Sequence, residues 1–447
     1  MNSSERRVTG TLSVIYILRM LGLFLLLPVL ALYVEGLPGS TPLKVGLAVG
    51  MYGFTQALFG LPFGTLSDHF GRKQIITLGL GLFAAGSLLA AVAQSANGII
   101  AGRALQGAGA VAAPIMALLA DLLRPEQRTK GMAVIGISIG GSYLIALPLG
   151  PVLAAWLQVP GLFVLIAVLA AMMIAVLWVA VPTPVTTRPV GQSGQQFRAA
   201  LTDPHLLRLD FSIMALHILM TATFVALPPL LRDGLNLAPS QHPWLYLPTV
   251  LLSIVAMVPL IVYAEKRHQL KSVFIAMIGL LAGGLLLLVE ASHTLWAVAA
   301  GLVAFLTAFN VLEATLPSIM SRLAPIAGRG TAMGLYSTSQ FLGAFIGGVG
   351  AGWLRGQYGA QGVFLGGLGV CVVWLAVAIG LRPPTPLQTR LIEVGNVTAA
   401  RARSLTSELA ALTGVAEAVV IPEEGVAYLR VDGTRFESAS LERFKIA

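Results

Sequence analysis

The chain has 447 residues, of which 56% are hydrophobic and only 11% are charged. This composition lies far outside the range of soluble globular proteins and is typical of a chain with many membrane helices. The formal net charge of +9 does not indicate a nucleic-acid surface, because basic residues in such chains collect in the loops on one side of the membrane.

Apolar runs separated by short polar or Gly/Pro turns follow one another along most of the chain. Each is long enough to cross a hydrocarbon core of about 30 Å, which needs about 20 helical residues. They predict twelve membrane helices, spans 1 to 12, beginning near residues 12, 45, 75, 98, 132, 160, 206, 244, 272, 295, 330 and 361. A polar stretch divides them, so we predict an N-terminal six-helix half at 1–182, a linker at 183–205 and a C-terminal six-helix half at 206–382.

The basic residues of the short loops fall mainly on the side that holds the N-terminus. The loops on the opposite side carry only Lys44, Arg232 and Arg355. Because cytoplasmic loops are enriched in Lys and Arg, both termini are predicted to be cytoplasmic. The first span follows Arg6 and Arg7, but it is too long for a signal peptide and no cleavage site follows it, so we predict that it is retained.

The segment between spans 2 and 3 runs from Gly64 to Lys73 and is predicted to be a very short polar turn. Asp68 lies just past a helix end and has the i, i+4 spacing to Arg72 of an ion pair, and Gly64 and Gly71 allow another helix to approach. A carboxylate in this position would face the positive N-terminus of a neighbouring helix. These residues predict a conformational latch; the alternative is that Arg72 and Lys73 only supply cytoplasmic positive charge.

The pattern G-x-x-x-D-x-x-G-R-K in this segment resembles the loop 2–3 signature of the major facilitator superfamily of transporters. The resemblance implies two six-helix halves around a central cavity lined by spans 1, 4, 7 and 10. It also implies that Asp121, at the end of span 4, completes a charge cluster with Asp68 and Arg72.

Two further motifs resemble those of the same family. Arg103 begins an R-x-x-Q-G pattern that the family associates with proton coupling; the alternative is that Arg103 only satisfies carbonyl groups or an interhelical acid. Span 5 contains Gly140 and then Gly150-Pro151, similar to a motif of drug antiporters. We expect its glycines to pack tightly against the other half and Pro151 to bend the helix. Ala154-Ala155 replace a glycine pair of that motif, which weakens the antiporter assignment.

Ionisable groups inside apolar spans are functional candidates, because they are costly in a membrane. His217 in span 7 and Glu313 in span 10 are expected to face each other, and a desolvated carboxyl binds a proton more readily than one in water. Glu313 is predicted to carry protons with His217; the alternative is a permanent structural pair. The side chains expected to line the cavity are Arg19, Tyr16, Phe24, Tyr52, Tyr143, Phe224, Asn310, Tyr336 and Gln340, with Arg19 as a partner for an anionic group.

Residues 388–447 are charged and water-soluble in character. They predict a strand at Leu391–Val394, a helix at Thr398–Leu412 capped by Thr398, strands at Ala418–Ile421 and Val426–Val431, and a short helix at Ser440–Phe444. This order indicates a small ferredoxin-like α+β domain. The single cysteine, Cys371, lies in span 12, so we predict neither a metal nor another cofactor.

The fold expected is thus an all-α membrane protein of twelve helices with a small C-terminal α+β domain. The function predicted is proton-coupled secondary transport, with export of small amphipathic or drug-like compounds by alternating access in a bacterial inner membrane. No nucleotide-binding or hydrolase signature points to an enzyme. The expected partners are a small-molecule substrate, protons, membrane lipid and an unknown cytoplasmic ligand of the C-terminal domain, without nucleic acid. A nutrient importer and a non-transporting membrane sensor remain alternatives.

Overall fold

The computed structural model describes residues 1–184, 194–267, 269–290, 294–326, 328–381, 387–395, 397–422, 425–432, 435–436, 441 and 444. The α-helices of these ranges are α1 (Ser3–Leu25), α2 (Leu30–Glu35), α3 (Pro42–Phe70), α4 (Arg72–Ala91), α5 (Ala96–Ala108), α6 (Ala112–Leu122), α7 (Pro125–Ala180), α8 (Gly194–Thr202), α9 (Pro204–Pro229), α10 (His242–Lys266), α11 (Leu270–Glu290), α12 (Leu295–Leu323), α13 (Arg329–Ile379) and α14 (Ala399–Ala410). The strands are β1 (Leu387–Glu393), β2 (Val415–Ile421) and β3 (Val426–Asp432).

Two of these helices are too long for one membrane crossing. The 56 residues of α7 would extend roughly 84 Å as one helix, against a hydrocarbon core of about 30 Å. The backbone leaves the helical region at Gln158 in α7 (φ 58°, ψ 171°) and at Gly359 in α13 (φ 68°, ψ −167°). Each therefore supplies two spans, and α5 with α6 supplies one. The predicted fold of twelve apolar helices and a small α+β domain is confirmed.

The predicted starts of spans 1 and 5 are the least accurate. Helix α1 begins at Ser3, because Asn2 and Glu5 form a reciprocal capping box that satisfies free backbone N–H groups. Helix α7 begins at Pro125, and proline is favoured in the first turn of a helix. Polar first turns of this kind lie outside the apolar runs that mark the spans.

The helices alternate in direction, as contacts between their ends show. On the side where the bundle begins and ends, called here the terminal side, Lys73 Nζ donates to the carbonyl oxygen of Val181 at 2.8 Å. Lys271 Nζ donates in the same way to Ile379 at 2.7 Å. Lys73 and Lys271 are 198 positions apart, as are Val181 and Ile379. The two halves therefore use one scaffold twice.

A second repeated contact joins helices through backbone atoms. A Cβ atom added to Gly86 of α4 would lie 2.7 Å from the carbonyl oxygen of Gly102 in α5, and one added to Gly284 of α11 would lie 2.8 Å from that of Gly301 in α12. Small residues at a crossing allow membrane helices to pack through their backbones. The same crossing therefore holds spans 3 and 4 together in the first half and spans 9 and 10 in the second.

The outer surface of the bundle is apolar, and aromatic side chains mark one end of it. Trp156, Trp244, Trp296 and Tyr358 are exposed, and each lies near a helix end on the side opposite the termini, called here the opposite side. Trp and Tyr are enriched where membranes meet water. This girdle fits a lipid boundary on the opposite side.

The C-terminal domain is a three-stranded antiparallel sheet in the order β1-β3-β2. Helix α14 links β1 to β2, and β3 lies between them, which is the split βαβ arrangement of ferredoxin-like folds. Thr398 caps α14 through its side chain, as predicted. The core is built from buried apolar residues of α14 and all three strands. Of the predicted helix at Ser440–Phe444, only Leu441 and Phe444 are among the described residues.

The chain forms two compact units, and the smaller one combines this domain with the segments Gln192–Leu207 and Pro317–Met333. Within that unit, Arg430 Nη2 donates to the carbonyl oxygens of Ser321 at 2.9 Å and Ala324 at 2.7 Å. Glu417 Oε1 accepts from the amide of Ile326 at 2.8 Å, and Arg430 Nη1 lies 3.3 Å from Glu417 Oε2. A cation is favourable at the negative C-terminus of a helix. Arg430 therefore docks the domain on the end of α12.

The tight crossing at Gly86 predicts that alanine substitutions at Gly86 and Gly81 of α4 have different effects on stability. Gly86→Ala forces spans 3 and 4 apart and is expected to lower stability by about 1–3 kcal/mol, the usual effect of overpacking. Thermal unfolding in detergent measures the change. Gly81→Ala is the control, since a Cβ there meets nothing within 4 Å. Equal melting temperatures for the two variants would show that the crossing is not tight.

The docking contact predicts a local effect of Arg430→Gln. Hydrogen bonds from a charged donor contribute about 1.5–3 kcal/mol, so the loss of two is expected to speed amide exchange of residues 321–326 about tenfold or more. Hydrogen-exchange mass spectrometry of the full chain reports this. Arg435→Gln is the matched control, because that side chain is 80% exposed and lies 3.9 Å from Asp432. Unchanged exchange in Arg430→Gln would contradict the docking.

Candidate functional site

The structure brings Glu313 of α12, His217 of α9 and Gln340 of α13 together, and we call these three residues the Glu313 triad. Gln340 Nε2 lies 2.9 Å from His217 Nε2 and 3.1 Å from Glu313 Oε1. His217 Nε2 and Glu313 Oε2 are 3.9 Å apart. Both ionisable side chains are half-buried, and Glu313 Oε2 has no hydrogen-bond partner. A carboxyl oxygen with a free lone pair near an imidazole is placed to exchange a proton.

The contacts of His217 fit one of its two neutral tautomers. Its Nδ1 lies 3.2 Å from the carbonyl oxygen of Ile213, and a carbonyl only accepts. With a proton on Nδ1, the imidazole donates to Ile213 and its Nε2 can accept from the Gln340 amide. A proton added to Nε2 would place two donors face to face, and the Gln340 amide would have to turn. Protonation of His217 is thus linked to the hydrogen bond that Gln340 gives Glu313.

Aromatic side chains connect the triad to the first half. Phe309 has its ring centre 5.9 Å from that of His217 and 5.6 Å from that of Tyr143. Tyr143 in turn meets Phe24 of α1 at 5.3 Å. Edge-on and tilted rings at these distances attract one another. These rings form an apolar wall between spans 1, 5 and 10.

Arg19 lies in the interior of span 1 and is completely buried. Its Nη2 donates to the Tyr52 hydroxyl at 2.8 Å and to Gln56 Oε1 at 2.7 Å. The Tyr52 ring meets Phe341 of the second half at 6.2 Å. The predicted cavity residues Arg19 and Tyr52 therefore lie at the boundary between the halves.

Other predicted cavity residues have partners elsewhere. Asn310 donates to Ser253 of α10 at 3.0 Å, so it braces two spans of one half. Phe224 packs on Tyr246, with ring centres 6.2 Å apart. Tyr16 and Tyr336 are buried, and the Tyr336 hydroxyl has no partner.

Arg103 is bonded within the first half. Its Nε donates to the carbonyl oxygen of Ala48 at 3.3 Å and its Nη1 to Gln106 Oε1 at 2.8 Å, and its guanidinium lies 5.0 Å from the centre of the Tyr52 ring. Gln106 Nε2 in turn donates a hydrogen bond to Ser87 Oγ at 2.7 Å. Arg103 thus satisfies a carbonyl and a side-chain amide within the first half.

Arg72 lies between two carboxylates on the terminal side. Its Nη1 bonds Asp68, and its Nε lies 2.9 Å from Asp121 Oδ2; Ser67 Oγ accepts from Nη1 at 2.7 Å. We call Arg72, Asp68 and Asp121 the Arg72 cluster. Arg72 is 2% exposed, so this is a buried charge with strong pairing.

Two details of the predicted latch are wrong. The segment is not a polar turn, because α3 continues to Phe70 and α4 begins at Arg72; Gly71 alone makes the turn, with φ of 92°, a value that favours glycine. Asp68 therefore lies inside the last helical turn. Lys73 contacts Val181 and the face of the Trp178 ring, because its side chain points to span 6 and away from the carboxylates.

The expectations for span 5 also need correction. A Cβ added to Gly140 would meet nothing within 4 Å, whereas one added to Gly150 would collide with the Leu25 carbonyl oxygen of span 1. The tight contact is therefore at Gly150 and within one half. The backbone stays helical through Pro151 and leaves that region only at Gln158.

A charge cluster that the sequence did not single out joins the two halves on the opposite side. Glu35, which ends α2, accepts from Arg232 at 2.9 Å and from Arg355 at 2.6 Å; we call these three the Glu35 cluster. Arg232 and Arg355 are two of the three cations assigned to the opposite loops. Because cations are so few there, these two could have been singled out from the sequence as candidates for an ion pair. Beside the cluster, Gly348 and Gly46 bring α13 and α3 into backbone contact. A Cβ atom added to Gly348 would lie only 2.6 Å from the carbonyl oxygen of Gly46.

Asp210 is another residue that the sequence reading passed over. It lies in α9, is 8% exposed, and its Oδ1 has no partner. An aspartate inside a membrane span would have marked it. Among the described residues, no group of three or more His, Cys, Asp or Glu is placed to hold a metal ion.

Comparisons with known proteins agree with this architecture. The Major Facilitator Superfamily model matches residues 12–222 and again residues 209–420. The chain is 45% identical to the inner membrane transport protein YajR of Escherichia coli over 445 residues, which is 98% of this chain and 97% of YajR. It is 28% identical to the multidrug resistance protein MdtH of Aeromonas hydrophila over 83% of this chain and 94% of MdtH.

A solved structure gives the same fold. The crystal structure of a bacterial homologue of the human lysosomal transporter Spinster superimposes with a TM-score of 0.70 at 12% identity, over 85% of this chain and 97% of that one. Both family matches together cover more than half of the chain. With twelve spans in two repeated halves, the chain therefore belongs to the major facilitator superfamily.

Proposed function

We propose that this transporter exports small amphipathic compounds in exchange for protons. It works by alternating access across a bacterial inner membrane, with both termini in the cytoplasm. The excess of Lys and Arg on the terminal side supports this orientation. The names of the relatives support the rest: YajR is described as an inner membrane transport protein and MdtH as a multidrug resistance protein.

The Glu313 triad is the observation that carries proton coupling. Glu313 has an unpartnered oxygen 3.9 Å from His217, within a wall of aromatic rings. A proton bound by Glu313 removes a charge that is expensive in a membrane interior. A neutral Glu313 therefore allows the halves to move more easily than an ionised one.

The Arg72 cluster supports a role in closing the terminal side. Two carboxylates and one guanidinium leave a net charge of about −1, and a helix N-terminus is equivalent to roughly +0.5. Span 11 begins on this side. We propose that Asp68 lies against the N-terminus of span 11 when the opposite side is open.

The Glu35 cluster supports the reverse role. Glu35 belongs to the first half and both arginines to the second, so the pairs must break before the opposite side opens. The side chains of Glu35, Arg232 and Arg355 are 30%, 37% and 13% exposed, and partly exposed ion pairs contribute up to about 1 kcal/mol each. Contributions of this modest size suit a conformational switch, because its two states must stay close in free energy.

The C-terminal domain is proposed to regulate transport through a cytoplasmic ligand. Arg430 and Glu417 hold the segment that joins span 10 to span 11. Span 10 carries Glu313, and span 11 carries Gln340. A ligand that changes this docking would change how easily the two spans move.

Proton coupling predicts a specific defect in Glu313→Gln. The variant keeps the shape of the side chain but no longer binds and releases a proton, so uphill transport driven by a pH gradient should fall to background while substrate counterflow continues. Proteoliposomes with an imposed gradient measure both. Movement of substrate along with proton entry in the wild type would indicate an importer.

The control for this experiment is Glu265→Gln, which neutralises an exposed carboxyl at the terminal side. It should retain coupled transport. Uphill transport by Glu313→Gln at the wild-type rate would exclude Glu313 as the proton carrier.

The two charge clusters predict opposite shifts of conformation. Glu35→Gln should favour opening of the opposite side about fivefold, as expected for about 1 kcal/mol. Asp68→Asn should favour opening of the terminal side about five- to thirtyfold, for about 1–2 kcal/mol. Distances between spin labels placed on the two halves, measured on each side, report both populations.

The matched control for Glu35 is Asp233→Asn. Asp233 pairs with Arg232 at 2.6 Å and is 58% exposed, but it lies beside Arg232 in the same half, so it cannot hold the halves together. Its distance distribution should match the wild type. A shift in the same direction for Glu35→Gln and Asp68→Asn would contradict the assignment of the clusters to opposite gates.

A further inference from the structure

Arg19 leaves more of its donors unused than the other deeply buried arginines of the described chain. Arg103 also has no described ion pair, but a carbonyl, an amide and an aromatic face contact its guanidinium. Arg72 pairs with Asp68 and Asp121, and Arg430 pairs with Glu417. Arg19 is 0% exposed, yet it takes part in no described ion pair. Its Nε and Nη1 also have no hydrogen-bond partner. The chain thus buries a full positive charge whose remaining donors are unused.

The two contacts that Arg19 makes are neutral. Nη2 donates to the Tyr52 hydroxyl at 2.8 Å and to Gln56 Oε1 at 2.7 Å. They fix the position of the guanidinium but do not balance its charge. A buried charge without a counter-ion is strongly unfavourable in protein or lipid. The missing negative charge is therefore expected from outside the chain.

The position of Arg19 shows which molecule would bring that charge. Tyr52 touches Phe341 of the second half, and Phe341 directly follows Gln340 of the Glu313 triad. Helix α1 also carries Phe24, where the aromatic wall to Phe309 and His217 begins. A molecule at the boundary of the halves would meet a cation, aromatic faces and the proton-carrying triad.

We propose that Arg19 is the head-group site of an anionic substrate, and that the transported class is organic anions with an apolar body. A carboxylate, sulfonate or phosphate oxygen would accept from Nε or Nη1, and the apolar part would pack on the aromatic rings. This inference rests on the proposed transport function and specifies its substrate class. Charge-assisted hydrogen bonds of this kind are short and strong.

The test uses three probes with the same apolar body: 1-naphthoate, 1-naphthalenemethanol and 1-naphthylmethylammonium. Binding to the purified full-length chain is measured by calorimetry and by thermal shift. Wild type should bind 1-naphthoate best, and Arg19→Met should lose about ten- to hundredfold of that affinity. Arg267→Met, which removes an exposed charge, should bind like wild type.

A second readout separates ligand binding from a structural role. Without ligand, Arg19→Met should melt at the same temperature as wild type or higher, because it removes an unbalanced charge; a structural clamp on Tyr52 and Gln56 would instead lower the melting temperature. If Arg19→Met does not fold, Gln56→Glu is the variant that tests the proposal. It supplies a carboxylate next to Nη2, so it should stabilise the protein and abolish 1-naphthoate binding.

Unchanged 1-naphthoate affinity in folded Arg19→Met or Gln56→Glu would overturn the proposal. Equal binding of the three probes by wild type, or the absence of 1-naphthoate binding at millimolar concentration, would overturn it as well. Failure of proton coupling is a separate result, because it is read from uphill transport by Glu313→Gln and not from probe binding.

Discussion

The constraint on which this structure depends is that a charge moved from water into a membrane bundle needs a counter-charge. Arg72 meets it with two carboxylates, and Arg355 with Glu35. Arg103 uses the second-best solution, a carbonyl, an amide and an aromatic face. These residues are fixed by their partners, so they brace the helices, and for Arg72 and Arg355 we propose a role in a gate.

Arg19 and Glu313 satisfy this constraint only in part, as does Asp210 of α9, and Arg19 and Glu313 have opposite sign when both are ionised. Each keeps an unpartnered polar atom in the interior of the bundle. Each also belongs to a different half, Arg19 to span 1 and Glu313 to span 10. A buried polar group without a partner persists only where the surrounding structure holds it in place or where a ligand supplies the missing partner. We therefore propose that Arg19 and Glu313 mark a part of the bundle whose contacts change during the transport cycle.

Span number and domain order were predictable because long apolar runs and strand periodicity are local signals. The Arg72 and Asp68 pair was predictable for the same reason, since its members are four residues apart. The Glu35 cluster was not, because Arg355 is 320 residues from Glu35 and the partner of a charge at that separation depends on tertiary packing. The direction of Lys73 was missed because a lysine side chain is long and its target is a backbone carbonyl.

The repeat explains why some contacts occur twice and the charges only once. Lys73 and Lys271 make the same contact 198 positions apart, and the Gly86 crossing recurs at Gly284. These contacts hold helices within one half, so both halves need them in every state. At the positions 198 after Asp68 and Arg72, however, the chain has Lys266 and Leu270.

This divergence follows from what each interaction must do. A contact inside one half has to persist through the whole transport cycle. When the half is duplicated, such a contact is present in both copies. A gate has to form in one state and break in the other, so a carboxylate cluster is useful in one half only if the facing half supplies positive potential. A second carboxylate cluster at the same level would repel the first across the interface. Lys266, which replaces the aspartate, avoids that repulsion on the terminal side, just as Arg232 and Arg355 face a single carboxylate, Glu35, on the opposite side.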